Sequence, residues 1–198
     1  MEKLKFIIAI PTFNRLLKLK EAVNSILQQK LDNLELKIVI SNSFSNDGTY
    51  QYLENLRKDS RFIISNKKET SPKDYLSQFI NFRNLAKSLP DDADWIWYMG
   101  DDDHFPGTTS LLKMCEFLKQ HETDEKLVFV HACQARRSRG SGQICKSDVL
   151  SLCNQFGYVE MLGWISSIVM RVQPFRNALQ KIDKRVQVAR TEPRLGNS

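Results

Sequence analysis

The sequence has little of what marks several common protein classes. No apolar run approaches the roughly 18 residues that a membrane-spanning helix needs. The N-terminal MEKLKFIIAIP carries only a short apolar run, interrupted by Lys5 and ended by Pro11, so no signal peptide is expected. Four cysteines (Cys115, Cys133, Cys145 and Cys153) fall at spacings that match no zinc pattern. Free, reduced thiols in the cytosol are therefore the expected state. The eight glycines form neither GxGxxG nor the GxxxxGK of a P-loop. A bound phosphate must then be held by a metal ion and basic side chains rather than by a glycine-rich cradle.

What is present is ordinary in amount. The 198 residues suit one domain with a substantial core. The net charge of +6 and the pI near 9.1 fit anionic small molecules, anionic lipid surfaces or nucleic acid. No nucleic-acid motif or basic helix stripe accompanies that charge, so nucleic acid is not an expected partner.

Continuously apolar runs alternate with helical stripes. LKFIIAI (Leu4 to Ile10) reads as a buried strand, too short for a helix. Leu19, Ala22, Val23, Ile26 and Leu27 then fall on one helix face. Further strands are expected over Glu35 to Ser41, Arg61 to Ser65, Asp94 to Met99 and Lys126 to Ala132. GWISSIVMR (Gly163 to Arg171) reads as another. Between them, Thr49 is placed to cap a helix starting at Tyr50. A helix running from Pro72 carries Tyr75, Phe79, Phe82, Ala86 and Leu89, and Thr108 or Thr109 caps one reaching His121. This order predicts a Rossmann-like α/β/α sandwich with a mainly parallel central sheet. Ligands bind such sheets beyond the carboxyl ends of the strands. Three turns gather there: PTFNR, SNSFSNDG and GDDDH. The last follows WIWYM and holds Asp101, Asp102 and Asp103 with no lysine or arginine beside them. Such carboxylates suit Mg²⁺ or Mn²⁺, which take one or two protein carboxylates together with phosphate oxygens. The competing reading is an exposed acidic turn at a helix N-terminus.

Four segments carry a resemblance. IAIPTFNR (Ile8 to Arg15), IVISNSFSNDGT (Ile38 to Thr49), NFRNLA (Asn81 to Ala86) and WIWYMGDDDHFPG (Trp95 to Gly107) resemble, in order and spacing, the motifs of family 2 glycosyltransferases with the GT-A fold. The resemblance covers about residues 4 to 120, with looser similarity through Arg171. It implies a metal-dependent, inverting transferase using a nucleotide-diphosphate sugar, with UDP expected, and a glycan or lipid-linked acceptor in surface polysaccharide synthesis. Pro11, Thr12 and Asn14 would then line base and ribose. Arg83 would reach the diphosphate or hold the acidic cluster. Asp101 and Asp102 would touch ribose or metal, and Asp103 would coordinate Mn²⁺ or Mg²⁺, with Asp101 as a second ligand.

Two departures from the family pattern stand out. Asn42 replaces the carboxylate that accepts a hydrogen bond from the base, though an amide oxygen can still accept one. Phe44 replaces the usual glycine. The ending also looks shortened. No residue matches the family's general base; Asp148, Glu160, Asp183 and Glu192 are candidates without a motif. The alternative reading is therefore a non-catalytic remnant that binds nucleotide or a partner. One domain is expected, with a nucleotide-sugar half over 1–120, a partial acceptor half over 121–180 and a weakly patterned tail over 181–198. A cytoplasmic protein with peripheral contact at the inner membrane face completes the expectation.

Among the remaining candidates, His131 reads as a packed strand residue and His104 as a loop histidine. At least one of Trp95 and Trp97 should be core. Arg136, Arg137 and Arg139 form a basic loop that suits an anionic acceptor or a membrane surface. Arg15 reads simply as the start of the first helix.

Overall fold

A computed structural model describes residues 3–67, 77–132, 145–178 and 180–181. The expectations placed on Pro72, Tyr75, Cys133, the Arg136–Arg139 cluster, Asp183, Glu192 and the tail beyond residue 181 lie outside these residues.

The apolar run at the N-terminus forms β1 (Leu4–Thr12), which sits inside a six-stranded sheet. The other strands are β2 (Leu34–Ser43), β3 (Phe62–Lys67), β4 (Trp95–Tyr98), β5 (Phe129–His131) and β6 (Ile168–Arg171). Their order is β3-β2-β1-β4-β6-β5. The first four strands are mutually parallel, and β6 runs antiparallel between β4 and β5. The expected α/β sandwich with a mainly parallel sheet is what forms.

Side chains alternate across a strand, so β1 must be apolar on both faces if both are covered. Phe6, Ile8 and Ile10 pack on one side with Leu19, Val23 and Ile26 of α1 (Leu16–Leu27), Leu53 of α2 (Thr49–Leu56) and Leu111 and Leu118 of α4 (Ser110–Gln120). Ile7 and Ala9 pack on the other side against Leu85 of α3 (Ser77–Lys87), with Leu89 just beyond that helix. Trp95 and Trp97 both point into the first layer and both are core, Trp97 meeting Phe105 edge-on at 5.0 Å. Ile96 and Tyr98 point into the second, where the Tyr98 ring meets Phe82 and Phe175.

Several boundaries differ from the sequence expectation, each for a local reason. β2 runs two residues further, because Asn42 and Ser43 keep ladder positions opposite Asn66 and Lys67 of β3. β5 starts at Phe129, since Asp124 folds the preceding residues into a turn by accepting from the amides of Lys126 and Leu127. In GWISSIVMR only Ile168–Arg171 is strand. Ile165–Ser167 forms a single 3₁₀ turn, closed by the Ser167 amide and hydroxyl, which both donate to the Trp164 carbonyl. His131 is a packed strand residue, as expected, with Nε2 2.9 Å from the Ser167 hydroxyl. Cys115, Cys145 and Cys153 are free thiols. Two helices, α5 (Val149–Phe156) and α6 (Tyr158–Leu162), lead into the 3₁₀ turn.

The expected threonine caps do not form. Thr49 is the first helical residue of α2, and neither Gly48 before it nor Thr109 before α4 caps with a side chain. Buried Gln29, just after α1, serves α4 instead. Its amide oxygen accepts from the Leu111 amide at 3.1 Å, while its nitrogen donates to the carbonyls of Ser25 and Gly107. A buried donor or acceptor without its partner costs about 1–3 kcal/mol. Gln29→Ala should therefore lower the urea midpoint of unfolding by an amount in that range, with an unchanged slope. An unchanged midpoint would remove Gln29 from this role.

Candidate active site

The parallel strands end at one edge of the sheet. β1 has β2 on one side and β4 on the other, so the chain leaves β1 beside a crevice at the switch of strand order. The three turns named from the sequence meet there, and hydrogen bonds join them.

The turn after β4 is built on Gly100. The Asp103 amide donates back to the Gly100 carbonyl at 3.3 Å, which closes the turn and sets three carboxylates side by side. A Cβ on Gly100 would lie 3.0 Å from both Asp102 Oδ1 and Asp103 Oδ2, a tight approach that would push the two carboxylates from these positions. Asp101 is 6% exposed; the Thr12 hydroxyl donates to its Oδ2 at 2.8 Å, and Arg15 reaches its Oδ1 at 3.3 Å. The same guanidinium nitrogen lies 2.8 Å from Asp102 Oδ2. Asp103 is exposed, and its Oδ2 accepts from the Ser166 hydroxyl. Burial pushes the Asp101 carboxyl above the ordinary carboxylate range, against the pull of Thr12 and Arg15, and the neighbouring Asp102 charge adds to the rise.

The turn after β1 is fixed by the turn after β2. Asn14 adopts a left-handed backbone with φ of 52°; its amide donates to the Ser45 hydroxyl and its Oδ1 accepts from the Asn46 amide. Asp47 holds two helices at once. One carboxylate oxygen accepts from the Leu16 amide at the start of α1, and the other accepts from the Thr49 amide and hydroxyl at the start of α2. Its partial burial would raise its pKa, but these hydrogen bonds outweigh that and hold the group below the ordinary range.

Asn42 is wholly buried. Its amide donates to Asn66 Oδ1 at 2.7 Å and its oxygen accepts from the Ser45 hydroxyl at 2.5 Å. Asn66 in turn donates to the Tyr50 carbonyl and to Glu54. Phe44 has φ of 62°, so the left-handed backbone that suits glycine persists with a phenylalanine in it. Pro11 is half-buried at the end of β1. On the α3 side, Asn81 donates to the Thr12 carbonyl at 3.0 Å, and Arg83, two residues further along that helix, is half-buried. The hydroxyls of Ser41 and Ser43, Asn81 Oδ1 and Asn84 Nδ2 are buried with no hydrogen-bond partner among the described residues, polar positions of the kind that ordered water fills.

The structure thus brings Thr12, Asp101, Asp102 and Asp103 together, stitches Asn14 to the second turn and buries Asn42 beneath it. Sequence reasoning missed Arg15, the counter-charge of the acidic turn, and Ser166, which reaches it from the second half of the chain. It also passed over Phe13, which is 53% exposed on the turn itself. Of the base candidates, Asp148 caps α5 by accepting from the Ser151 amide and hydroxyl. The side chain of Glu160 lies outside the described residues. A cavity of about 290 Å³ opens at the opposite sheet edge, lined by Lys3, Lys5, Asp92, Asp94 and Arg171 among others, far along the strands from the carboxylates.

A sequence model of glycosyl transferase family 2 matches residues 7–144, which hold most of β1, the PTFNR turn and the aspartate turn. The chain belongs to that family. Over 94 residues it is 33% identical to the abequosyltransferase RfbV of Salmonella typhimurium, a stretch covering 48% of this chain and 27% of that protein. Its fold is similar to that of TarS 1-349 from S. aureus, with a TM-score of 0.62, 16% identity and coverage of 88% of this chain and 49% of TarS 1-349. It is also similar to the mannosyltransferase PcManGT from Pyrobaculum calidifontis, solved with GDP-Man and Mn²⁺, with a TM-score of 0.52, 16% identity and coverage of 70% and 38%. TarS 1-349 has been solved with UDP-GlcNAc. The chain thus spans about half of TarS 1-349 and about a quarter of the abequosyltransferase. At 16% identity the structural likenesses establish the fold alone.

The raised pKa of Asp101 has a sign that can be tested. Between its unfolded and folded values the native state holds the extra proton, so stability falls as pH rises through that window. At pH 7 the ionised group is a cost to the fold. Asp101→Asn should leave the thermal midpoint at pH 7 unchanged or raised, and should reduce the fall in stability between acid and neutral pH. A clear drop in the midpoint would contradict the burial argument.

Proposed function

We propose that this chain binds a nucleotide-diphosphate sugar, with UDP as the nucleotide, at the turn after β4. The sugar is transferred with inversion to a glycan or lipid-linked acceptor in surface polysaccharide synthesis. The observation that carries the reading is the junction of Thr12, Arg15 and the three aspartates at the switch of strand order. A nucleotide and its phosphates need such a mixture of polar backbone turns, a mobile cation and carboxylates. Membership of the family and the named activities of its relatives point the same way.

The carboxylates of the acidic turn suit a divalent ion unequally. Among the described residues no three histidine, cysteine or carboxylate groups gather to hold a metal by themselves. Mg²⁺ and Mn²⁺ at a diphosphate need fewer, since phosphate oxygens and waters complete the shell. Asp103 fits that role. It is exposed, one oxygen is fixed by Ser166, and no other hydrogen bond reaches the carboxylate among the described residues. Asp101 fits less directly, because Thr12 and Arg15 engage both its oxygens. A cation held there supplies Lewis-acid stabilisation of the leaving nucleotide diphosphate.

The chain's own residues do the rest. Asp101 and Asp102 meet the ribose, and Arg15, 53% exposed, can swing from them to the diphosphate. Phe13 offers an exposed ring on which the base stacks, beside Pro11, Thr12 and Asn14. Buried Asn42 shapes the floor of the base pocket through Ser45 rather than standing open in it. Arg83 approaches the diphosphate from α3. No helix among the described residues is long and apolar enough to cross a membrane. We place the chain in the cytoplasm, touching the inner membrane face when the acceptor is lipid-linked.

A second reading is nucleotide binding without transfer. It is favoured by Asp148, whose carboxylate is committed as a helix cap, the hydrogen bonds from the Ser151 hydroxyl and amide holding its pKa below the ordinary range. An inverting transfer needs a carboxylate to deprotonate the acceptor.

Calorimetric titration of UDP should show binding with Mn²⁺ that is much weaker, though still measurable, in EDTA. Asp103→Ala should abolish the metal dependence. Phe13→Ala should weaken binding by about 1–3 kcal/mol, the value of a stacked base, without lowering the thermal midpoint. Equal UDP affinity in wild type and Asp103→Ala with Mn²⁺ present would sink the site assignment. Release of UDP from a sugar donor in the presence of acceptor separates transfer from binding alone.

A further inference from the structure

We propose that Ser166 is a positioning residue for Asp103, a role that rests on the reading of Asp103 as the metal-facing carboxylate. Ser166 comes from the 3₁₀ turn before β6, more than sixty positions along the chain from the aspartates, yet it makes three contacts with the β4 edge. Its hydroxyl accepts from the Gly100 amide at 2.8 Å and donates to Asp103 Oδ2. Its carbonyl accepts from Trp97 Nε1 at 2.8 Å.

The chemistry of a hydroxyl makes this directional. It has one proton to give. With the Gly100 N–H pointing at the oxygen, the proton is left to face Asp103, and an ionised carboxylate is the acceptor it suits best. The mount is rigid, because Trp97 is buried between the rings of Phe6 and Phe105. Gly100 gives the space: a Cβ there would lie 3.0 Å from Asp103 Oδ2 and 3.4 Å from Ser166 Oγ. Asp103 itself is exposed, and a surface carboxylate otherwise samples several rotamers. Ser166 selects one of them and occupies Oδ2, which leaves Oδ1 for the ion. Groups that orient a metal-binding carboxylate typically contribute a factor of about 10–100 in metal affinity.

A simpler role would be to tie the β6 loop to the sheet, and the two roles separate experimentally. Ser166→Ala keeps the carbonyl and with it the Trp97 bond, so the loop remains anchored. The measurement is the affinity of the full chain for UDP in Mn²⁺ and in EDTA, alongside titration of Mn²⁺ alone followed by the spin-resonance signal of the free ion. Ser166→Ala is expected to weaken the Mn²⁺-dependent affinity about tenfold or more and to leave binding in EDTA as it was. Ser166→Thr, which keeps the hydroxyl, should restore it. In an Asp103→Ala background the alanine at 166 should add nothing, because the two act as one unit. Ser166→Cys, nearly isosteric with a weak donor, should show the same loss and stands in if the alanine variant folds poorly.

Unchanged Mn²⁺ dependence in Ser166→Ala, with a metal-dependent wild type, overturns the positioning role alone. So does equal weakening in EDTA, or full additivity with Asp103→Ala. A wild type that binds nucleotide without any metal dependence overturns the reading of Asp103 and this inference with it.

Discussion

Three carboxylates on one turn are the constraint around which this edge of the molecule is organised. Two unit charges about 4 Å apart interact by roughly 4 kcal/mol at the effective dielectric of a protein surface. The Asp101–Asp103 turn therefore needs compensation from outside itself. It comes from two separate parts of the chain: Thr12 and Arg15 from the turn after β1, and Ser166 from the turn before β6. The turn after β1 is in turn stitched to the one after β2 by Asn14, Ser45 and Asp47. Compensating the acidic turn thus joins the turns after β1, β2 and β4 and the turn before β6 in one connected set of hydrogen bonds.

That dependence explains why Arg15 was invisible as a partner in the sequence. No base stands beside the aspartates, and their missing counter-charge was assigned to a metal ion. The guanidinium lies 86 positions away from Asp101. The clue was the deficit itself: a cluster of like charges at a strand end calls for a cation from a neighbouring turn. Once β1 and β4 are read as adjacent, PTFNR is the turn that can provide it. Ser166 left no such clue, since a serine in an apolar segment gives no sign of its reach. The strands themselves were legible because continuous apolar runs of this length have few other uses. Their ends were not, because Asn42 and Ser43 look like loop residues until the ladder to β3 claims them. Helix starts failed for a related reason. Propensity favours a local threonine cap, whereas Asp47, two residues before Thr49, caps α2 and also reaches the start of α1, and Gln29 caps α4 from just beyond α1.

The two departures from the family pattern take a physical form. Phe44 holds a left-handed backbone, at a cost of about 1–2 kcal/mol in unfavourable conformation. Asn42 turns its amide inward to Asn66 and Ser45 and no longer presents a charge to the crevice. Both changes lie on the β2 side, where a base would be recognised. The acidic turn and its Thr12 partner, where phosphates and ribose would be met, keep the family's residues. Under the proposed reading, base selectivity is the property on which these two changes bear.

The most direct test of the account is the position of the ion. Crystals of the chain grown with UDP and Mn²⁺ would be measured with X-rays near the manganese absorption edge, and the anomalous difference map examined. The account predicts one strong peak at direct coordination distance from Asp103, bridging to the diphosphate, with Ser166 still against the other carboxylate oxygen and Arg15 turned toward phosphate. Nucleotide bound in the crevice with no anomalous peak at Asp103, or a peak at a different set of residues, would contradict it.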